Sequence, residues 1–330
     1  MAIIKVAIFN RHKFEKLVVH KSKTLAWAIA FFSGILMALT TAPVNAWLLA
    51  WVALAPLWVL VVSYQKPKIE EQKQKFLFLP SFLNIHPLHP LQNPLPNFLL
   101  PSLWGIGYHG LALSWIMGIH PMTWLGVPWW PSLAIALFCW AFITLWGAAL
   151  VAVWAWLFVI AISKISGTGI LPVISQKISG TGILPVIRVL IGTALWCALE
   201  SIWSTGSLWW TSLSYTQSPH NLAILHLGQL SGPSAVTAAI VAVNGLIAEA
   251  FIEGRRKKQE GRRKNWIPYI LPASLCLVLH IAGWSLYNRP LNQEAATALK
   301  IGIIQGNIPN EIKFDSGGWG RALEGYTIGY

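Results

Sequence analysis

The chain has 330 residues, 55% of them hydrophobic and only 11% charged, with 20 Trp and a mean hydropathy of +0.57. Soluble domains carry roughly 25% charged residues, so the composition excludes an ordinary soluble enzyme and indicates a polytopic membrane protein. The net charge of +13 would suggest nucleic acid in a soluble chain, but here the basic residues sit in short blocks between apolar runs, the pattern that orients helices in a bilayer.

Residues 1–24 hold Lys5, Arg11, Lys13, Lys16, Lys21 and Lys23 around an apolar stretch too short to span, which predicts a cytoplasmic basic tail. A transmembrane domain is expected over 25–287. Its first two spans, 25–40 and 47–64, are joined by the uncharged turn Ala42 to Asn45. Lys66, Lys68, Lys73 and Lys75 then lead into HPLHPLQNPLP, where proline density excludes regular structure. His86 and His89 in that stretch have no third ligand and read as solvated loop. A third span is expected at 98–119 and a fourth at 129–163. The fourth far exceeds the roughly 20 residues that cross about 30 Å of hydrocarbon. Nothing between Ser132 and Ile162 would turn a hairpin, so it reads as one helix, tilted or partly interfacial.

KISGTGILPVI at Lys164 to Ile174 recurs unchanged at Lys177 to Ile187. Two copies are too few for a solenoid, and 164–187 reads as a duplicated insert in a tolerant loop. A fifth span at 189–203 is followed by the charge-free STGSLWWTSLSYTQSPHN. A sixth at 222–251 precedes the basic block Arg255 to Lys264, and a seventh is expected at 266–287. Cys139, Cys197 and Cys276 each lie inside an apolar run without CxxC spacing, so no metal site, cofactor or disulfide framework is indicated.

Charge distribution gives the orientation. With seven spans and the N-terminus inside, the inside segments carry 20 of the 24 Lys and Arg residues, and no outside loop between spans carries one. Residues 288–330 are then exported. There Leu299, Ile301, Ile303 and Ile304 predict a strand, and Gln305, Gly306 and Asn307 a turn. An independent domain needs at least roughly 50 residues, so this region is expected to be the truncated start of a domain.

Several stretches together resemble the apolipoprotein N-acyltransferase family: FFSGILMALTTAPVNAWLLAWVALAPLW, GIGYHGLALSWIMGIH, ALWCALESIW, TGSLWWTSLSYTQSP, LGQLSGPSAVTAAIVAVNGLIA and KIGIIQGNIPNEIKFD. The resemblance implies an all-α polytopic membrane domain of about seven transmembrane helices. The first strand, turn and helix of an α/β nitrilase-like (αββα) domain would follow. It places the chain in a bacterial plasma (inner) membrane, with the C-terminal segment on the periplasmic face. The implied reaction moves an acyl chain from a phospholipid donor, through a Cys thioester, to the amine of a diacylglyceryl-modified apolipoprotein acceptor. The family's catalytic Glu, Lys and Cys belong to later strands, so no catalytic residue is assigned here. The chain alone is expected to be inactive, and a separate chain carrying the rest of the catalytic domain is one way to complete it.

What the resemblance leaves to this chain is lipid handling. Trp209, Trp210 and Tyr215 sit in a charge-free loop that would not repel an acyl tail. With Glu200, Gln217 and Phe314 they form the candidate substrate-binding set. Where the family often has Phe-Pro-Trp, Ser207 and Leu208 precede Trp209 and Trp210, so which Trp is equivalent stays open. The bland alternative is an aromatic belt. Glu200, a carboxylate within a span, reads either as functional or as a helix-packing group, with Asn244 as one conceivable partner. His109, His226 and His280 read as buried, hydrogen-bonded side chains. A non-catalytic transporter or scaffold is the competing class, for which inverted repeats and charged, interrupted spans would be expected.

Overall fold

The computed structural model describes residues 23–63, 98–167, 183–259, 261, 267–289, 302–304, 308, 312 and 316–329. The basic tail through residue 22, the Pro-rich loop with its two histidines, the centre of the repeat, the 305–307 turn and Phe314 lie outside these residues. The described residues are helical and contain no strand. The strand expected at Leu299 to Ile304 is not found where it can be examined, since Gly302 to Ile304 carry no regular structure. A lone strand gains ladder hydrogen bonds only from a neighbour, and none lies among the described residues.

The principal helices are α1 (Lys23–Ala38), α2 (Ala55–Ser63), α3 (Leu99–Ala112), α4 (Trp129–Gly167), α5 (Ile183–Ser204), α6 (Pro233–Gln259), α7 (Ile267–Tyr287) and α8 (Ser316–Gly329). Four are long and apolar enough to cross a membrane, over Trp129–Lys164, Leu184–Ser204, Pro233–Lys258 and Tyr269–Tyr287. The apolar stretches Lys23–Ala38, Trp47–Ser63 and Leu222–Ser231 are shorter. α4 is uninterrupted for 39 residues, roughly 58 Å at about 1.5 Å per residue, nearly twice the hydrocarbon thickness.

Several boundaries differ from the expected ones for identifiable reasons. The second apolar run breaks into a 3₁₀ turn, Trp47–Trp51, and α2. The third ends at Ala112 and continues as a 3₁₀ turn, Ser114–Ile119. The sixth is interrupted at Gly232, whose φ of 68° suits glycine. Pro233 then opens α6, a position where its missing N–H costs nothing. The repeat is not wholly a loop, because Lys164 to Gly167 extend α4 and Ile183 to Ile187 begin α5. Pro185 falls in the first turn of α5, where backbone N–H groups have no helical partner anyway.

The helices pack through close backbone approach and buried tryptophan. A Cβ on Gly34 would run into the Trp104 carbonyl of α3, and one on Gly107 into the Phe31 carbonyl of α1. This is the small-residue contact that membrane helices use in place of a hydrophobic drive. Behind it Trp58, Trp104, Trp154 and Phe158 are fully buried, with Trp154 stacked on Phe158 at 5.2 Å and Trp58 tilted against the same ring at 4.6 Å. Each buried indole N–H of this group finds an acceptor: Trp104 on the Ala53 carbonyl, Trp154 on the Gly192 carbonyl, and Trp58 on Glu249 Oε1. Glu249 also pairs with Arg188 at 3.2 Å, so this buried carboxylate is neutralised where α5 begins.

Asn244, in the middle of α6 and wholly buried, organises the break before α2. Its Oδ1 accepts from the N–H groups of Leu54 and Ala55, both at 2.9 Å, while its Nδ2 donates to the carbonyls of Ala50 and Ile240. All four hydrogen-bonding positions of the amide are used. Asn244 is therefore the cap of α2 and not the partner of Glu200.

Candidate functional site

Residues 205–221, between α5 and the short turn Leu222–Leu225, hold most of the candidate residues. Trp209 to Ser212 have no regular structure, and burial deepens along them. Trp209 is half-buried and Trp210 is 42% exposed, whereas Thr211 is buried. The Trp209 ring faces His109 at 5.6 Å, and the Trp210 ring faces Trp115 at 5.7 Å. A 3₁₀ turn follows, Leu213–Gln217, capped by Ser212, whose hydroxyl accepts from the Ser214 N–H. Tyr215 projects from this turn at 51% exposure.

Glu200 and Gln217 are not surface groups. Glu200 is 6% exposed, and its Oε1 accepts from the Leu213 N–H at 2.9 Å. Ser212, Thr237 and Trp196 also surround its carboxylate. Gln217 is fully buried. Its Oε1 accepts from Asn221 Nδ2 at 2.8 Å, and its Nε2 reaches the Trp47 carbonyl at 3.4 Å. The structure thus brings Glu200, Trp209, Trp210, Tyr215 and Gln217 into one segment and its supports, but divides them. Trp210 and Tyr215 are exposed, while Glu200 and Gln217 are buried, Glu200 on the Leu213 N–H and Gln217 on Asn221 and the Trp47 carbonyl.

Of two further supports, His109 was read from sequence only as a generic buried group and Tyr108 was not singled out. Tyr108 donates its hydroxyl hydrogen to the Thr211 carbonyl at 3.3 Å, and His109 Nδ1 lies 2.7 Å from Thr211 Oγ1. His109 is 1% exposed, as expected, but its partner lies 102 residues away in sequence. No local signal could have supplied that pairing. His226 and His280 are hydrogen-bonded to the carbonyls of Leu222 and Cys276 but only half-buried.

Cys276, His280 and Asn221 superficially imitate a nucleophilic constellation. Cys276 Sγ is 3.7 Å from His280 Nδ1, and His280 Nε2 is 3.2 Å from Asn221 Nδ2. The protons argue against it. Nδ1 lies 2.7 Å from the Cys276 carbonyl, an acceptor only, so Nδ1 carries hydrogen and cannot take one from the thiol. Nε2 then accepts from Asn221, and the ring braces α7 against the 217–221 turn.

Residues 33–246 match the family model for the apolipoprotein N-acyltransferase N-terminal domain. The chain belongs to the apolipoprotein N-acyltransferase family. The apolipoprotein N-acyltransferase of Nostoc sp. is 50% identical over 294 residues, covering 89% of this chain and 49% of the relative. That of Synechocystis sp. is 40% identical over 295 residues, covering 89% and 52%. That of Gloeobacter violaceus is 29% identical over 313 residues, covering 94% and 48%. The chain spans about half the length of the curated relatives it matches. The matched region contains Tyr108, His109, Glu200 and the whole 205–221 segment, whereas Phe314 falls beyond it.

Proposed function

We propose that this chain is the membrane part of an apolipoprotein N-acyltransferase. In the complete enzyme an acyl chain passes from phospholipid, through a Cys thioester, to the diacylglyceryl-cysteine amine of a lipoprotein. In this reading 25–287 forms about seven spans with the N-terminus cytoplasmic, and 288–330 begins the exported nitrilase-like domain. The catalytic Glu, Lys and Cys are contributed by sequence beyond residue 330, on this polypeptide or on a separate chain. The three cysteines present, set in the apolar helices α4, α5 and α7, are not proposed to substitute.

The observation that carries the reading is the family match joined to the exposure pattern at 210–215. Trp210 and Tyr215 are both more than two-fifths exposed on a segment without charge, over a backbone held by buried polar side chains. Such a surface admits an acyl tail while the segment keeps its shape. Trp209, packed inward on His109, forms the floor of that mouth, and Phe314 is proposed to meet the lipid from the exported side.

Photocrosslinking tests this. A benzophenone amino acid at Tyr215, in full-length chain 1–330 reconstituted in phospholipid vesicles, is expected to capture lipid in a manner that a diacylglyceryl peptide competes away. The same group at Trp130, which is 74% exposed, should capture annular lipid without competition. Equal, non-competable capture at both positions would reduce the mouth to an ordinary aromatic belt.

A further inference from the structure

We infer that segment 209–213 is latched into the helix bundle at two points, Thr211 by Tyr108 and His109 of α3 and Leu213 by Glu200 of α5. These three side chains are then positioning residues for the aromatic mouth. The functional meaning of the latch rests on the lipid reading given above, but its existence does not.

The segment makes no ladder or helix of its own through Ser212, yet Thr211, Ser212, Leu213 and Ser214 are all buried. Buried backbone groups need partners, and here the Thr211 carbonyl and the Leu213 N–H find theirs on the side chains of α3 and α5. Tyr108 and His109 are adjacent on α3 and grip the same residue, one at its carbonyl and the other at its hydroxyl. His109 is itself fixed, since a Cβ at Gly147 of α4 would collide with its ring. It is also packed on Tyr108 at 4.6 Å and on Trp209 at 5.6 Å. Two residues further on, Glu200 takes the Leu213 N–H. Immediately before the first point Trp209 lies half-buried against His109 while Trp210 is exposed. Releasing either latch would free both rings and uncover Ser214.

The roles of the two latches separate by chemistry. The Leu213 N–H needs an acceptor and not a charge, so glutamine can replace Glu200 there whereas alanine cannot. The His109 contact needs the Thr211 hydroxyl, so serine can replace threonine whereas isosteric valine cannot.

The experiment uses full-length chain in phospholipid vesicles with Cys139, Cys197 and Cys276 replaced by alanine and Ser214→Cys added, and follows labelling by a membrane-permeant maleimide. Thr211→Val and Glu200→Ala are expected to speed labelling at 214 roughly tenfold, the scale of one lost hydrogen bond. Thr211→Ser and Glu200→Gln should leave it near the parent rate. The inference is overturned if serine and valine at 211 label alike, or if glutamine at 200 labels as fast as alanine. A parallel Ala248→Cys reporter, at a wholly buried core site, identifies any variant that has lost its fold. In that event Tyr108→Phe, which removes one hydroxyl, decides instead by raising the rate at 214 or failing to. Labelling reads the latch without lipid competition or acyl transfer. Loss of competable crosslinking at 215 with the latch intact would therefore sink only the lipid reading.

Discussion

Gly107→Leu is expected to separate α1 from α3 and lower the thermal midpoint of the detergent-solubilised chain by about 10 °C or more. A side chain there meets the Phe31 carbonyl, the Ile35 nitrogen and the backbone of Gly34, and the reciprocal position Gly34 faces the Trp104 carbonyl and the Tyr108 nitrogen. These are backbone atoms on both sides, and no rotamer change relieves them. Overpacking that side chains can absorb costs roughly 1–3 kcal/mol. A clash between two helix backbones should exceed that, and roughly 4 kcal/mol corresponds to about 10 °C for a chain of this class. The displacement would also pull Trp104 from the Ala53 carbonyl. Gly118→Leu serves as the control, because a Cβ there has no neighbour within 4 Å and the midpoint should not move. Equal midpoints for the two leucine variants, read by fluorescence-monitored melting, would show that the α1–α3 contact does not stabilise the bundle.

Asn244→Leu is expected to cost about 3–5 kcal/mol and to loosen the start of α2 specifically. It removes the side-chain partner of the Leu54 N–H and of the Ala50 carbonyl, and leaves the Ala55 N–H only the Val52 carbonyl at 3.2 Å, at roughly 1–3 kcal/mol per lost partner with partial relaxation. Asn244→Asp should also destabilise, since it keeps an acceptor for the two N–H groups but turns a carboxylate oxygen toward two carbonyls. Hydrogen exchange on peptides covering 50–58 should accelerate in both variants, while peptides from α5 near Glu200 should exchange at the parent rate. The reverse pattern would restore the pairing of Asn244 with Glu200 that the sequence suggested.

The sequence announced the helical membrane class because that depends on local quantities, whereas four helices, not seven, are long and apolar enough to cross a membrane among the described residues. Apolar runs and basic blocks marked the helices, and the absence of turn residues from Ser132 to Ile162 marked α4 as continuous. What was illegible depended on partners distant in sequence. The break before α2 is held from Asn244, 189 and 190 residues away, and the Thr211 latch from α3. The Gly232–Pro233 break was readable, since glycine followed by proline is a stop and a start, but the hydrophobicity of 222–251 masked it. In the candidate set, composition could show that 205–221 lacks charge. It could not show that Gln217 points into the protein while Tyr215 points out, because both lie in one 3₁₀ turn.

The most direct measurement joins this chain to the remaining half of its Nostoc relative and assays N-acylation of a diacylglyceryl peptide in phospholipid vesicles. The account predicts that the fusion transfers the acyl chain while residues 1–330 alone transfer none. Acylation by residues 1–330 alone, or an inserted and folded fusion that transfers nothing, would contradict it.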